Sequence, residues 1–291
     1  MKLSANRSEL LKAVQTVFPA VGSKSNLPIL SNVLINATSD ALKITATDLE
    51  LELTVTAPIS AEEPGAITLP ARRLYDILKA FPDEALVSIS TGEGKATVKS
   101  GRSRFALQTL EADDYPGSAQ LELETEITVS QAILGKAMAE ASYAMAQKDV
   151  RYYLNGCLFD FDTQKNQVTV VSTDGHRLAC KTVNATVQSS EPAGQVIVPL
   201  KGMMSIMKLI HADSDTPVTL LLGKNRLRIV AGDTCLTSIL IDGKFPEYQR
   251  VIPKEFKSTV IADRIQLSEL FKRVRLVLSD KTEGVRITLE D

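Results

Sequence analysis

One unit is written twice along this chain. KITATDLELEL runs from Lys43 to Leu53 and VVSTDGHRLAC from Val170 to Cys180, each an apolar strand-like run that meets Thr-Asp and continues. Thr47-Asp48 and Thr173-Asp174 lie 126 residues apart. If the chain repeats, other landmarks must recur at nearly that offset. ITLPARRLYDILKAF is matched by VIVPLKGMMSIMKLI, both a β-branched run, a proline, a basic residue and an apolar helix-like segment; their prolines, Pro70 and Pro199, are 129 apart. Gly101 and Gly232, each in a turn between apolar runs, are 131 apart, and Pro116 and Pro246, each after an aromatic stop, are 130 apart. Landmarks drifting by only a few residues constrain the fold to copies of one supersecondary unit.

Periodicity says what that unit contains. SELLKAVQTVF (8–18), VSQAILGKAMAEASYAM (129–145) and QLSELFKRVRLVL (266–278) carry apolar residues at helical spacing. They are followed by the strand-like LPILSNVLINA, RYYLNGCLFDF and GVRITLED. Alternating strands such as LKITATDLELELTV suit a half-exposed antiparallel sheet. Sheets with helices packed on one face give an α+β fold class. The expected domains are 1–122, 123–253 and a partial third, 254–291, that stops after its first helix and strand.

Composition narrows the function. Hydrophobic residues make up 44%, enough for sizeable cores. The formal net charge of −2 gives no overall attraction to nucleic acid, so any such binding needs a local basic patch. Cys157, Cys180 and Cys235 form no C-x-x-C pair, which argues against a disulfide framework or zinc site and for a reducing compartment. The first residues, MKLSANRSELLKAV, lack the apolar run of a signal peptide, and no stretch approaches the ~18 apolar residues of a membrane helix. The expected location is cytoplasmic.

Basic residues gather on or beside the helices: Arg7 and Lys12; Arg72, Arg73 and Lys79; Lys136 and Lys148; Lys201 and Lys208; Lys272, Arg273 and Arg275. Acid concentrates in strands and loops such as Asp48–Glu52, Glu62-Glu63 and Glu111–Asp114. A near-neutral protein with basic helices can face a phosphate backbone locally, positioning it without reading sequence. The plain alternative is that these are ordinary solvated helix faces.

LPILSNVLI, ATDLELE, ARRLYDIL, SGRSRFALQTL, DVRYYLNG, STDGHRLA and DGKFPEYQRVIP stand in this order along the chain. In these motifs the sequence resembles, over essentially its whole length, the bacterial DNA polymerase III beta subunits, the sliding clamps. The resemblance implies repeated clamp domains, antiparallel sheets outside and helices lining a basic inner face, with two three-domain subunits closing head to tail around duplex DNA. Such a ring is a processivity factor without catalytic residues, cofactor or metal. Its partners are the replicative polymerase subunit, the clamp loader and other clamp-binding proteins. The tether keeps them at high effective concentration near DNA.

Carried onto this sequence, the resemblance implies a peptide-binding pocket from Leu154, Thr173, Gly175, His176, Arg177, Leu178, Pro246, Arg250 and Val251. DNA contacts would come from Lys24, Arg73, Lys148, Tyr152 and Tyr153, and a dimer interface from Phe105 and Leu107 against Val277 and Leu278. The sequence ends at Asp291, where the resemblance implies a further half to two-thirds of a domain. That puts a complete pocket and ring closure in question.

Other features have plainer readings. His176 has no accompanying nucleophile signature, so it is not expected to act as a general base. Gly92–Lys95 sits between strands and reads as a hairpin turn rather than a phosphate loop. Cys180, the run Met203-Met204-Ser205-Ile206-Met207 and the stripe Leu74, Ile77, Leu78 read as core. Two functions remain: a DNA-encircling clamp, or a protein-binding scaffold that does not close on DNA.

Overall fold

The computed structural model describes residues 1–22, 27–92, 94–117, 121–189, 191, 193–211, 213–278 and 284–288. Two compact units result, Met1–Phe245 and Pro246–Asp291.

The first unit opens with β1 (Lys2–Asn6), α1 (Arg7–Val17), β2 (Asn32–Ala37), β3 (Leu42–Thr47), β4 (Leu51–Ala57), β5 (Ala61–Glu63) and β6 (Gly65–Pro70). It continues through α2 (Ala71–Ala80), β7 (Leu86–Gly92), β8 (Lys95–Ser100) and β9 (Ser103–Gln108). The same order then recurs: β10 (Leu123–Ser130), α3 (Gln131–Ser142), β11 (Gly156–Asp162), β12 (Gln167–Thr173), β13 (Leu178–Asn184), β14 (Thr186–Ser189), β15 (Ala193–Pro199), α4 (Leu200–Leu209), β16 (Pro217–Gly223), β17 (Arg226–Ala231) and β18 (Thr234–Ile239). Pairing repeats as well. β5-β1-β7-β8-β9 corresponds to β14-β10-β16-β17-β18, and β6-β2-β3-β4 to β15-β11-β12-β13, all antiparallel.

The two copies are joined by a strand pair. β18 of the second repeat ladders onto β4 of the first, Thr234 opposite Val55 and Leu236 opposite Leu53, so two sheets merge into one of nine strands. Their counterparts, β9 and β13, end their sheets. The helices supply the other layer. Leu10, Ala13, Val14 and Val17 of α1 recur at helical spacing and are buried, as are Leu134, Ala137, Met138 and Ala141 of α3. α1 packs on α2, β3 and β4, while α3 packs on α4, β12 and β13, and one continuous apolar core runs through both repeats.

Several core expectations are corrected. Cys180 is exposed, because β13 is an edge strand whose alternate side chains leave the core. Met203 is fully buried, but Met204, about 100° further round α4, is exposed. Leu74 and Leu78 are core residues, with Ile77 only half-buried beside them. The Gly92–Lys95 hairpin forms as expected, with Gly92 opposite Lys95.

In the second unit, α5 (Arg264–Arg275) is capped by Asp263, whose carboxylate accepts the Gln266 N–H at 2.8 Å. Its apolar residues Ile265, Leu267, Leu270 and Phe271 are all exposed. The strand expected after it does not form over residues 284–288, since a strand needs a ladder partner and none of the described residues offers one. No helix among the described residues is long and apolar enough to cross a membrane.

Candidate functional site

The two Thr-Asp stretches fold into the same turn. Thr47 Oγ1 donates to the Leu51 carbonyl at 3.0 Å and accepts the Leu49 N–H at 3.0 Å. Thr173 Oγ1 donates to the Arg177 carbonyl at 2.7 Å and accepts the Gly175 N–H at 3.0 Å. The Asp48 carboxylate accepts the N–H groups of Glu50 and Leu51; Asp174 accepts those of His176 and Arg177. Short polar side chains that bond their own backbone stabilise such turns. Those backbone bonds, with Arg177 Nε at 3.0 Å, hold the Asp174 carboxyl below its ordinary range.

What surrounds the turn differs between repeats. In the first, Lys201 at the start of α4 pairs with Asp48, and Glu50 O accepts the Ile239 N–H at 2.9 Å, so the turn is taken up in the join between the repeats. In the second, the neighbour is the loop from α3 to β11. Arg151 donates to both carboxylate oxygens of Asp149, at 3.0 and 2.8 Å, and to the Asp174 carbonyl at 3.2 Å. Its guanidinium lies over Gly175, where an added Cβ would come within 3.0 Å of it. Asn155 ties the loop at its base, accepting the Asp149 N–H and donating to the Asp149 carbonyl, both at 2.9 Å. The Arg151 bonds hold the Asp149 carboxyl at about 2.

This loop presents Lys148, exposed at φ +59°, and a short 3-10 turn with Tyr152 exposed and Tyr153 half-buried, their rings 5.8 Å apart and edge to face. Leu154 is buried beneath them. A cavity of about 710 Å³ lies alongside, walled by Tyr143, Lys148, Asp149, Arg151, His176 and Met204. The Arg177 guanidinium sits 5.7 Å from the Tyr143 ring centre, a cation–π contact. Cations and aromatic faces on one loop can hold a phosphate backbone and stack an exposed base. Thr173, Gly175, His176, Arg177 and Leu178 are thus brought together, with Lys148, Tyr152 and Tyr153 nearby through the Arg151 clamp.

The remaining expected residues lie elsewhere. Arg73 is exposed on α2, and Lys24 lies outside the described residues. Pro246, Arg250 and Val251 belong to the second unit, where they are exposed; Arg250 pairs with Glu247. On β9, Phe105 and Leu107 share one face; Phe105 is 40% exposed with its ring edge-on to Phe81 at 5.9 Å, whereas Leu107, at 4%, belongs to the core. Val277 is exposed and Leu278 half-buried just beyond α5.

Two basic residues counted with the helix faces are structural. Arg7 donates to the Leu78 and Lys79 carbonyls and pairs with Asp83, closing the C-terminal end of α2, where a cation suits the helix dipole. Lys201 is engaged with Asp48. Lys12, Arg72, Arg73, Lys79, Lys136 and Lys208 remain exposed on the helices. Reasoning from sequence missed Asp149, Arg151 and Asn155, whose signal was the close spacing of loop-bonding side chains in DVRYYLN. No group of three or more His, Cys, Asp or Glu converges among the described residues in a way that could hold a metal.

Residues 1–120 match the N-terminal domain of the DNA polymerase III beta subunit, and residues 128–247 match its central domain. The chain belongs to the sliding-clamp family. Membership places it in DNA replication. It is 41% identical to the beta sliding clamp of Proteus mirabilis over 99% of this chain and 78% of that protein. The crystal structure of the Pseudomonas aeruginosa DNA polymerase III subunit beta superposes with a TM-score of 0.91 at 41% identity, covering 97% of this chain and 76% of that one. A second structure of the P. aeruginosa clamp, bound to griselimycin, gives a TM-score of 0.89 over 97% of this chain and 75% of that one, again at 41% identity. The α+β fold with antiparallel sheets is that of the sliding clamps.

Proposed function

We propose that this clamp encircles duplex DNA without reading its sequence, as a head-to-tail dimer, and tethers the replicative polymerase, clamp loader and other partners through a peptide pocket. It acts in the cytoplasm as a processivity factor, not as an enzyme. The proposed domains are 1–122, 123–253 and 254–291.

One observation carries this reading. The internal join is a ladder between β18 and β4, and their counterparts β9 and β13 stand at sheet ends, available for the same kind of join. Head-to-tail association brings unlike surfaces of two copies together, a heterologous interface, and forms a ring when the rotation closes. At the subunit interface Phe105 would meet Val277 and Leu278 of a second copy, with Leu107 packed in the core behind it. Inside the ring, Lys24, Arg73, Lys148, Tyr152 and Tyr153 would hold the duplex loosely through non-specific contacts.

The residues that the family resemblance assigns to the pocket are Leu154, Thr173, Gly175, His176, Arg177, Leu178, Pro246, Arg250 and Val251. Apolar side chains would accept a peptide's apolar residues. Griselimycin is a ready probe, since the P. aeruginosa clamp binds it. Unchanged binding in both Arg177→Ala and Val251→Asp would sink the pocket assignment.

Retention on DNA tests the main claim. After loading, the protein should stay on nicked circular DNA through a high-salt wash and leave once the circle is linearised. Equal loss from both forms would favour a scaffold that binds peptides but does not close on DNA.

A further inference from the structure

A second cavity, of about 810 Å³, lies over the join between the repeats, away from the Thr-Asp turn of the second repeat. Its lining comes from α1 and β4 of the first repeat and from α4, the start of α3 and the β17–β18 turn of the second. Leu53, Val55 and Ile59 give it an apolar floor, with these side chains already packed in the core.

Two buried polar side chains in this lining have unused hydrogen-bonding capacity. Gln131 is only 5% exposed, and its Oε1 accepts the His211 N–H at 2.9 Å, which identifies the other end as the amide nitrogen. Among the described residues nothing accepts from that nitrogen, and nothing pairs with the hydroxyl of Ser205, which is 9% exposed. Neither donor is sealed from solvent: both open into the cavity, where an acceptor on a ligand can take the place of water. Lys208 follows Ser205 by three residues on the same helix face. Lys12 lines the cavity from α1, and neither lysine has an ion-pair partner among the described residues. Glu9 and Asp233 also line it, which disfavours a polyanion.

We propose that this cavity binds a small amphipathic monocarboxylate. Its hydrocarbon chain lies on Leu53, Val55 and Ile59. Its carboxylate accepts from Gln131 Nε2 and Ser205 Oγ, with Lys208 alongside. Such a ligand touches both repeats and so braces the β4–β18 join.

The test is calorimetric titration of the full chain with octanoate, and with octylamine as a probe of the same body and opposite charge. Octanoate should bind saturably with one-to-one stoichiometry, and octylamine at least about tenfold more weakly. Gln131→Met should weaken octanoate by about tenfold; Lys208→Glu, an exposed change that leaves folding intact, should weaken it by a similar factor. A selectively labelled Gln131 side-chain amide should shift on saturation. The proposal is overturned if no saturable binding occurs up to millimolar octanoate, if octylamine binds equally well, or if Lys208→Glu binds like the parent. It is also overturned if a crystal grown with octanoate holds only ordered water against Gln131 and Ser205.

Discussion

Leu49 and Gly175 occupy the same position of the same turn, at φ +79° and +88°. Each donates its N–H to the threonine two residues earlier at 3.0 Å. The left-handed conformation costs an L-residue about 1–2 kcal/mol, so the first repeat carries a strain that the second avoids. Exchange in the two directions should therefore be unequal. Leu49→Gly relieves that strain but adds freedom to the unfolded chain worth about 0.5–1 kcal/mol, leaving stability within roughly 1 kcal/mol of the parent. Gly175→Leu incurs the strain and displaces the Arg151 guanidinium from above the turn, offset in part by the freedom it removes from the unfolded chain, so it should destabilise by about 1 kcal/mol. Urea denaturation of the two variants measures the asymmetry.

The Arg151–Asp149 clamp makes a pH prediction. Asp149 sits at about 2 because Arg151 holds its charged form. A depressed carboxylate stabilises the fold above its unfolded value of about 3.9, and that contribution disappears as pH falls through about 2. The pair is solvent-exposed, so its contribution to stability is small, and the readout is the titration itself. In Arg151→Ala the Asp149 carboxyl carbon should titrate at higher pH by NMR, while the backbone N–H of residue 151, 2.8 Å from Oδ1, still holds it below an ordinary aspartate. Cleavage after Lys148 by trypsin should speed up as the loop loses its tie to the Asp174 carbonyl. An unmoved Asp149 titration would mean that another group depresses it.

Much of this was readable beforehand because repeats leave several independent marks. The Thr-Asp pairs, the prolines before α2 and α4 and the turn glycines fixed two copies of one unit, and the structure has two copies with the same element order. What stayed hidden depends on partners far away in sequence. Arg7 looked like a surface cation until it was found closing the end of α2, more than seventy residues on. Lys201 is likewise claimed by Asp48 of the other repeat. Cys180 follows an apolar run, and only the sheet order reveals that β13 is an edge with one face outward. The strand expected at 284–288 failed for a related reason: local pattern gives a strand its propensity, but a ladder partner gives it existence.

Tyr115 should be a stability hinge of the first repeat. Its buried hydroxyl donates to the Asn32 carbonyl at 3.2 Å and accepts the Thr47 N–H at 3.1 Å, anchoring the Thr-Asp turn to β2. Tyr115→Phe leaves that buried N–H without a partner, which should cost about 1–3 kcal/mol in urea denaturation. Burial also pushes the phenol up to about 12. Because the folded value exceeds the unfolded value of about 10, the contribution is complete below that pH and is lost as pH rises towards about 12. Ultraviolet titration should show one tyrosine ionising last, and that step should vanish in Tyr115→Phe.

Phe105 and Leu107 separate association from folding. They lie two residues apart on one face of β9, yet Leu107 is 4% exposed and Phe105 40%. Leu107→Ala removes core packing and should destabilise each copy by about 2–5 kcal/mol. Phe105→Ser loses chiefly its edge-on contact with Phe81, worth about 0.5–1.5 kcal/mol. If β9 is the edge that meets a second copy, Phe105→Ser should also raise the concentration at which light scattering sees half the protein as dimer, by about tenfold or more. Leu107→Ala should leave that midpoint nearly unchanged wherever the protein remains folded. A parent that is monomeric throughout the dilution series would remove the head-to-tail dimer. A dimer indifferent to Phe105 would place the interface on another surface.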